Sequence, residues 1–188
     1  DIDPAVIAEA GILYLEGYLW DPEGPRHAME AAIAAAKAAG RKVAFTLSDT
    51  FVVDRHRDDF LRLMHEGRID ILFANAIELT AMTGEDDFDA GVAKLARHVP
   101  LLVVTHGADG AVAVAGEQRA RVPAEPIRQL VDTTGAGDLF AAGFLAGQAR
   151  GLDLERSLKL GAIAAAEVIQ HYGARPEEDL KVLAAGIL

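Results

Sequence analysis

Residues 132–138 read DTTGAGD, and their types and order could handle a phosphate. Gly135, Ala136 and Gly137 lie between an extended stretch and the apolar run LFAAGFLAG, in which Phe140 and Phe144 fall on one helical face. The glycines therefore sit at a helix N-terminus, where backbone N–H groups lack internal partners and the helix dipole adds partial positive charge. Such a terminus receives a phosphate or a developing phosphoryl charge, and glycine lets the backbone come close. Asp138 stands at the edge of this anion site, placed to take a proton from a hydroxyl while the amides stabilise the transferring group. An aspartate capping a helix after a glycine turn is the competing reading, and composition alone favours it.

Two further segments carry polar groups after apolar runs. Asn75, the only asparagine, precedes Glu78 by three residues in FANAIELTAMTG. If the segment turns helical the two side chains project together, as a hydrated magnesium ion held through waters and phosphate oxygens would require. A capping box uses the same spacing, with Asn75 at the N-cap and Glu78 at N3, and the two readings stay open. Thr105, Gly107 and Gly110 lie in THGADG after the run LLVVT. This strand-to-loop switch leaves backbone room for a nucleotide, or it is a tight turn before AVAVA. The six histidines show no metal-type spacing, and His106 receives no catalytic role.

Elements that would position these residues follow from hydrophobic period. Runs 11–17 (GILYLEG), 41–47 (RKVAFTL), 69–73 (IDILF) and 101–105 (LLVVT) read as strands, separated by helical stretches at 28–39 and 55–66, which stop at Gly40 and Gly67, and at 86–98. Short apolar strands alternating with helices predict an α/β fold, a mostly parallel sheet covered on both faces, with ligands at the strands' carboxyl ends. Residues 111–115 and 119–122 predict a hairpin at an antiparallel edge. Helices are expected at 137–150, at 154–170 and after Pro176. Gly143, Gly147 and Gly161 interrupt the first two, each costing about 1 kcal/mol relative to alanine, and close packing against the sheet is the expected compensation.

Composition narrows the function classes. The 188 residues, 51% hydrophobic and 25% charged, suit one soluble domain with a sizeable core. A net charge of -11 argues against nucleic acid and anionic membrane as partners. With no cysteine there is neither a disulfide framework nor a thiolate zinc site, and no apolar run reaches membrane-spanning length. A cytoplasmic location is the default expectation. The phosphate loop G-x-x-x-x-G-K-[ST] is absent, and a dinucleotide fingerprint fails because Phe140 stands where its third glycine belongs.

The stretch DTTGAGDLFAAGFLAG, 132–147, resembles the second signature of the ribokinase (PfkB) family of carbohydrate and nucleoside kinases. Asn75 and Glu78 resemble the family's N-x-x-E motif, with Ala76 where many relatives carry another acidic residue, and Thr105 to Gly110 resembles its T-x-G-x-x-G segment, all in the family's order. The resemblance implies a ribokinase-like three-layer α/β/α sandwich, with residues 1–188 forming the ATP-binding, catalytic portion of one domain. It implies Asp138 as general base, Gly135, Ala136 and Gly137 as anion hole, and Thr105, Gly107, Gly110 and the late Gly173 lining ATP. Asn75 and Glu78 would influence Mg2+, and Asp132 with Thr134 match positions that in some members bind a monovalent cation, here K+. Segments EGYLWDPE, DILFANAIEL and HYGARPE look most similar to the adenosine-kinase-like branch. The expected reaction is transfer of the ATP γ-phosphate to a hydroxymethyl group of a sugar or nucleoside, and the alternative is a non-catalytic nucleotide- or sugar-binding regulator on the same fold. The chain has no counterpart of the family's first part, with its glycine-glycine sugar signature and β lid, so a fragment with an exposed sheet edge is expected, which leaves a homodimer open.

Overall fold

The computed structural model describes residues 2–188. Six strands form one sheet in the order β1 (Ile12–Glu16), β2 (Lys42–Thr46), β3 (Ile71–Asn75), β4 (Leu101–Thr105), β5 (Ala111–Ala115) and β6 (Gln118–Val122). β1 and β2 run parallel with Ile12 opposite Lys42 and Glu16 opposite Thr46, and β2 and β3 run parallel with Phe45 opposite Leu72. β5 and β6 are neighbours joined only by Gly116 and Glu117, a connection that permits no crossover and makes them antiparallel. The mixed, mostly parallel sheet with flanking helices is the ribokinase-like α/β fold expected.

The chain divides into two compact units, the first running through Val104 and including Val114–Glu117, the second comprising Thr105–Ala113 and Gln118–Leu188. In the first unit the helices are α1 (Pro4–Glu9), α2 (Glu23–Ala38), α3 (Thr50–His65), α4 (Ala76–Thr83) and α5 (Phe88–Leu95). Its core centres on Trp20, Phe45 and Phe60, all fully buried, with ring centroids 5.2 to 6.4 Å apart. The Trp20 indole N–H donates to Asp59 Oδ2 at 3.1 Å, so the largest core ring has its one polar group satisfied. Asp70, before β3, accepts from Val43 N and from Lys37 Nζ, tying β2 and the end of α2 to the start of β3.

In the second unit α6 (Ala136–Ala149) and α7 (Leu154–Val168) pack together, and α8 (Leu180–Leu183) is a single turn. The interrupting glycines are explained here, with one correction. They face the partner helix, not the sheet. A Cβ on Gly143 would stand 2.5 Å from Leu160 O, one on Gly147 2.6 Å from Ser157 Oγ, and one on Gly161 2.7 Å from Phe140 O. Glycine on both helices lets the axes approach until backbone meets backbone, and the dispersion gained offsets the propensity cost.

Aspartate starts most of the helices. Asp3, Asp49, Asp87, Asp153 and Asp179 each accept an amide of their helix's first turn, and Asn75 does so for α4. Two helices lack a side-chain cap: α2, which begins after Pro22, and α6, which begins after Gly135. Gly143→Val should force α6 and α7 apart and cost about 1–3 kcal/mol, read as a lower urea midpoint in the complete protein; an unchanged midpoint would refute the backbone contact.

Candidate active site

The 132–138 segment ends in the N-terminus of α6. Its cap, Gly135, has φ 80°, the left-handed region, and a Cβ there would meet Ala174 Cβ at 2.7 Å and Ala174 Cα at 2.9 Å, so no side chain fits. Because the cap has no side chain, the first amides of α6 are not consumed as in the aspartate-capped helices. Ala136 N–H donates to Thr133 O at 3.1 Å and Leu139 N–H to Gly135 O at 2.9 Å. Among the described residues the amides of Gly135, Gly137 and Asp138 have no hydrogen-bond acceptor. A Cβ on Gly137 would meet nothing within 4 Å, so open space adjoins that residue.

The two aspartates of the segment differ in their surroundings. Asp132 Oδ1 accepts from Thr134 N at 2.9 Å and from Thr134 Oγ1 at 2.7 Å, and its Oδ2 accepts from Gly173 N at 3.1 Å. The Thr134 amide, then its hydroxyl and then the Gly173 amide hold the Asp132 carboxyl below its ordinary pKa. Asp138 is exposed, in the first turn of α6, and takes no hydrogen bond from a described residue. One aspartate thus shapes the turn, and the other carries a free carboxylate beside free amides.

Thr105 to Gly110 folds as a short 3-10 turn at Gly107–Asp109, closed by His106 N–H donating to Gly110 O at 2.7 Å. Gly110, at φ 94°, has room for no Cβ, since one would lie 2.0 Å from Val122 O. Gly107 is exposed, and Thr105 and His106 are half-exposed. His106 Nδ1 stands 3.7 Å from Asp109 Oδ2, a local contact across the turn. Gly173, at φ 95°, gives its amide to Asp132. Thr105, Gly107, Gly110, Gly173 and the 132–138 segment all belong to the second unit.

Asn75 and Glu78 belong to the first unit, where they form a complete capping box. Asn75 Oδ1 accepts from Ile77 N and Glu78 N, both at 2.9 Å, while Glu78 takes Asn75 N on Oε2 at 3.0 Å and Asn75 Nδ2 on Oε1 at 2.7 Å. Glu78 is nevertheless a charged group at 4% exposure. Burial, opposed by the Asn75 amide and reinforced by the nearby Asp49 carboxylate, pushes its pKa up. Asp49, the α3 cap at the end of β2, was not recognised in the sequence because its capping role gives no spacing to Glu78. Two carboxylates near enough to interact, one of them buried, fit a cation that arrives with its own waters and phosphate oxygens. No cluster of three or more His, Asp or Glu among the described residues could cage a bare ion.

Residues 2–180 match the pfkB family carbohydrate kinase profile, and the chain belongs to that family. Its structure superposes on that of adenosine kinase from Sinorhizobium meliloti with a TM-score of 0.96 at 46% identity, covering 100% of this chain and 57% of that one. Cytidine kinase from Thermococcus kodakarensis is 37% identical over 71% of this chain and 49% of its own. Fructoselysine 6-kinase from Escherichia coli is 35% identical over 73% of this chain and 48% of its own. The chain thus spans about half the length of these curated relatives. No helix among the described residues is long and apolar enough to cross a membrane.

Glu78 supplies a pH test with a definite sign. Its folded pKa is raised, so the stability it contributes is complete below the ordinary glutamate range and is lost as pH rises through the folded value. Unfolding free energy measured against pH should lack this falling limb in Glu78→Gln; equal slopes for wild type and variant would show that Glu78 is not strained by burial.

Proposed function

We propose that the complete protein transfers the γ-phosphoryl group of ATP to a hydroxymethyl group of a sugar or nucleoside. The observation that carries this reading is the start of α6, where an exposed, unpartnered Asp138 shares one turn with the acceptor-free amides of Gly135, Gly137 and Asp138 itself. Asp138 takes the proton of the attacking hydroxyl, and the amides receive the charge on the transferring phosphoryl oxygens. Thr105, Gly107, Gly110 and Gly173 line the nucleotide. Family membership and the nucleoside and sugar kinases among the relatives support the reaction class.

Glu78 and Asn75, with Asp49 adding charge, would hold a magnesium ion through its waters, and the bound ion would supply neutralising charge to phosphate oxygens. Asp132 keeps lone pairs beyond the three bonds it accepts, and with the Thr134 oxygen it is the candidate for K+. We favour the nucleoside branch, supported by the 46% identity to the adenosine kinase. The proton-transfer role is tested by Asp138→Asn in the complete protein. It should lower kcat by about 10²- to 10⁴-fold while ATP affinity, measured by calorimetry, stays within a few-fold. Retained turnover would remove Asp138 as the base, and lost ATP binding would make it a structural cap. An ADP-release screen against adenosine, other nucleosides, ribose and fructose identifies the acceptor.

A further inference from the structure

Glu167, one residue before the end of α7, is 7% exposed and outside every motif described above. Its Oε1 accepts three donors: Glu177 N at 2.8 Å, Glu178 N at 3.0 Å and His171 Nε2 at 3.1 Å. These bonds close residues 167–178 into a loop on a single oxygen. Within 172–178 the chain makes no helix or strand, and its amides find acceptors only in Glu167 and Asp132. At the tip, Gly173 donates to Asp132 Oδ2 and Ala174 fills the space a side chain on Gly135 would need. The preceding strap hangs on the same end of α7, with Val131 N and Asp132 N donating to Ile169 O and Arg128 N to Gln170 Oε1.

We propose that Glu167 is a positioning residue for the phosphoryl-transfer site: its carboxylate clamps the 171–178 loop so that Gly173 and Ala174 hold the turn from Asp132 to Gly135 and thereby aim the first amides of α6 and Asp138. The inference rests on the kinase reading above. Charge is what lets one oxygen hold three donors at once, since bonds to an ionised acceptor are about twice as strong as neutral ones. Net stability does not explain the residue. Glu167 Oε2 is buried without a hydrogen-bond partner, an unfavourable arrangement that an apolar side chain would avoid.

The clamp is tested in the complete protein with Glu167→Ala and Glu167→Gln, comparing kinetics with amide hydrogen exchange. Glu167→Ala should lower kcat/KM for ATP roughly 10- to 100-fold, leave KM for the acceptor unchanged, and speed exchange at Glu177, Glu178, Gly173 and Thr134. Glu167→Gln keeps one accepting oxygen and should show an intermediate loss. A folded alanine variant within about twofold of wild type, even with a lowered melting temperature, overturns the proposal, because a merely structural group would change stability alone. Should the alanine variant not fold, the glutamine variant decides: an intermediate kinetic loss with faster exchange supports the clamp, and wild-type kinetics overturn it. If the wild-type protein transfers no phosphoryl group, the kinase reading falls while exchange still decides the clamp. Unaltered protection at Gly173 and Thr134 then overturns it.

Discussion

The contact between Gly135 and Ala174 is the constraint on which the geometry at the start of α6 depends. Gly135 must be left-handed to turn the chain into α6, and the space beside it is filled by Ala174, so neither the turn nor the loop can move without the other. A glycine cap also leaves amides without acceptors, where an aspartate cap of the kind that starts five other helices would take one for itself. Gly143, Gly147 and Gly161 then bring α6 and α7 into backbone contact, which fixes where that N-terminus stands relative to the end of α7. Sequence, helix pairing and site geometry are one argument: small residues set the distance, and the distance sets the aim of the amides.

The parts of this arrangement differed in how visible they were from residue order. Strands recur near their expected places, with β4 and β5 matching in full, because a short strand whose residues are mostly buried reads as an uninterrupted apolar run. Helix starts were harder. α2 begins at Glu23, ahead of the alanine-rich stretch, because Pro25 lies in the first turn, where its missing N–H costs nothing. α1 starts from Asp3 and Pro4, a cap and first turn too short to show a period, and the expected last helix is one turn. Asn75 and Glu78 were read as either cap or metal partners. The structure forms the capping box, and burial together with the nearby Asp49 carboxylate raises the pKa of Glu78. Glu167 was invisible because its partners are His171 and the backbone amides of Glu177 and Glu178, and backbone donors carry no side-chain signature.

The anion site proposed at the start of α6 needs local charges arranged against the chain's net charge of -11. Much of the acidity is spent within the fold: aspartates cap helices, Asp70 binds Lys37, and Asp59 receives Trp20. Asp132 shows the principle at closest range. Standing six residues before Asp138, it would repel a phosphate if its carboxylate faced outward, but Thr134 and Gly173 supply three donors that hold and screen it. Its depressed pKa records how favourably that charge is held. Asp138 takes no such donor from a described residue and lies exposed in the first turn of α6. Two like residues in one heptapeptide thus stand in opposite surroundings, one bound into the turn and the other left exposed at its edge. The loop after α7 takes part in this division: with the Gly173 amide removed, Asp132 would lose a donor and its charge would bear more strongly on any anion at the start of α6.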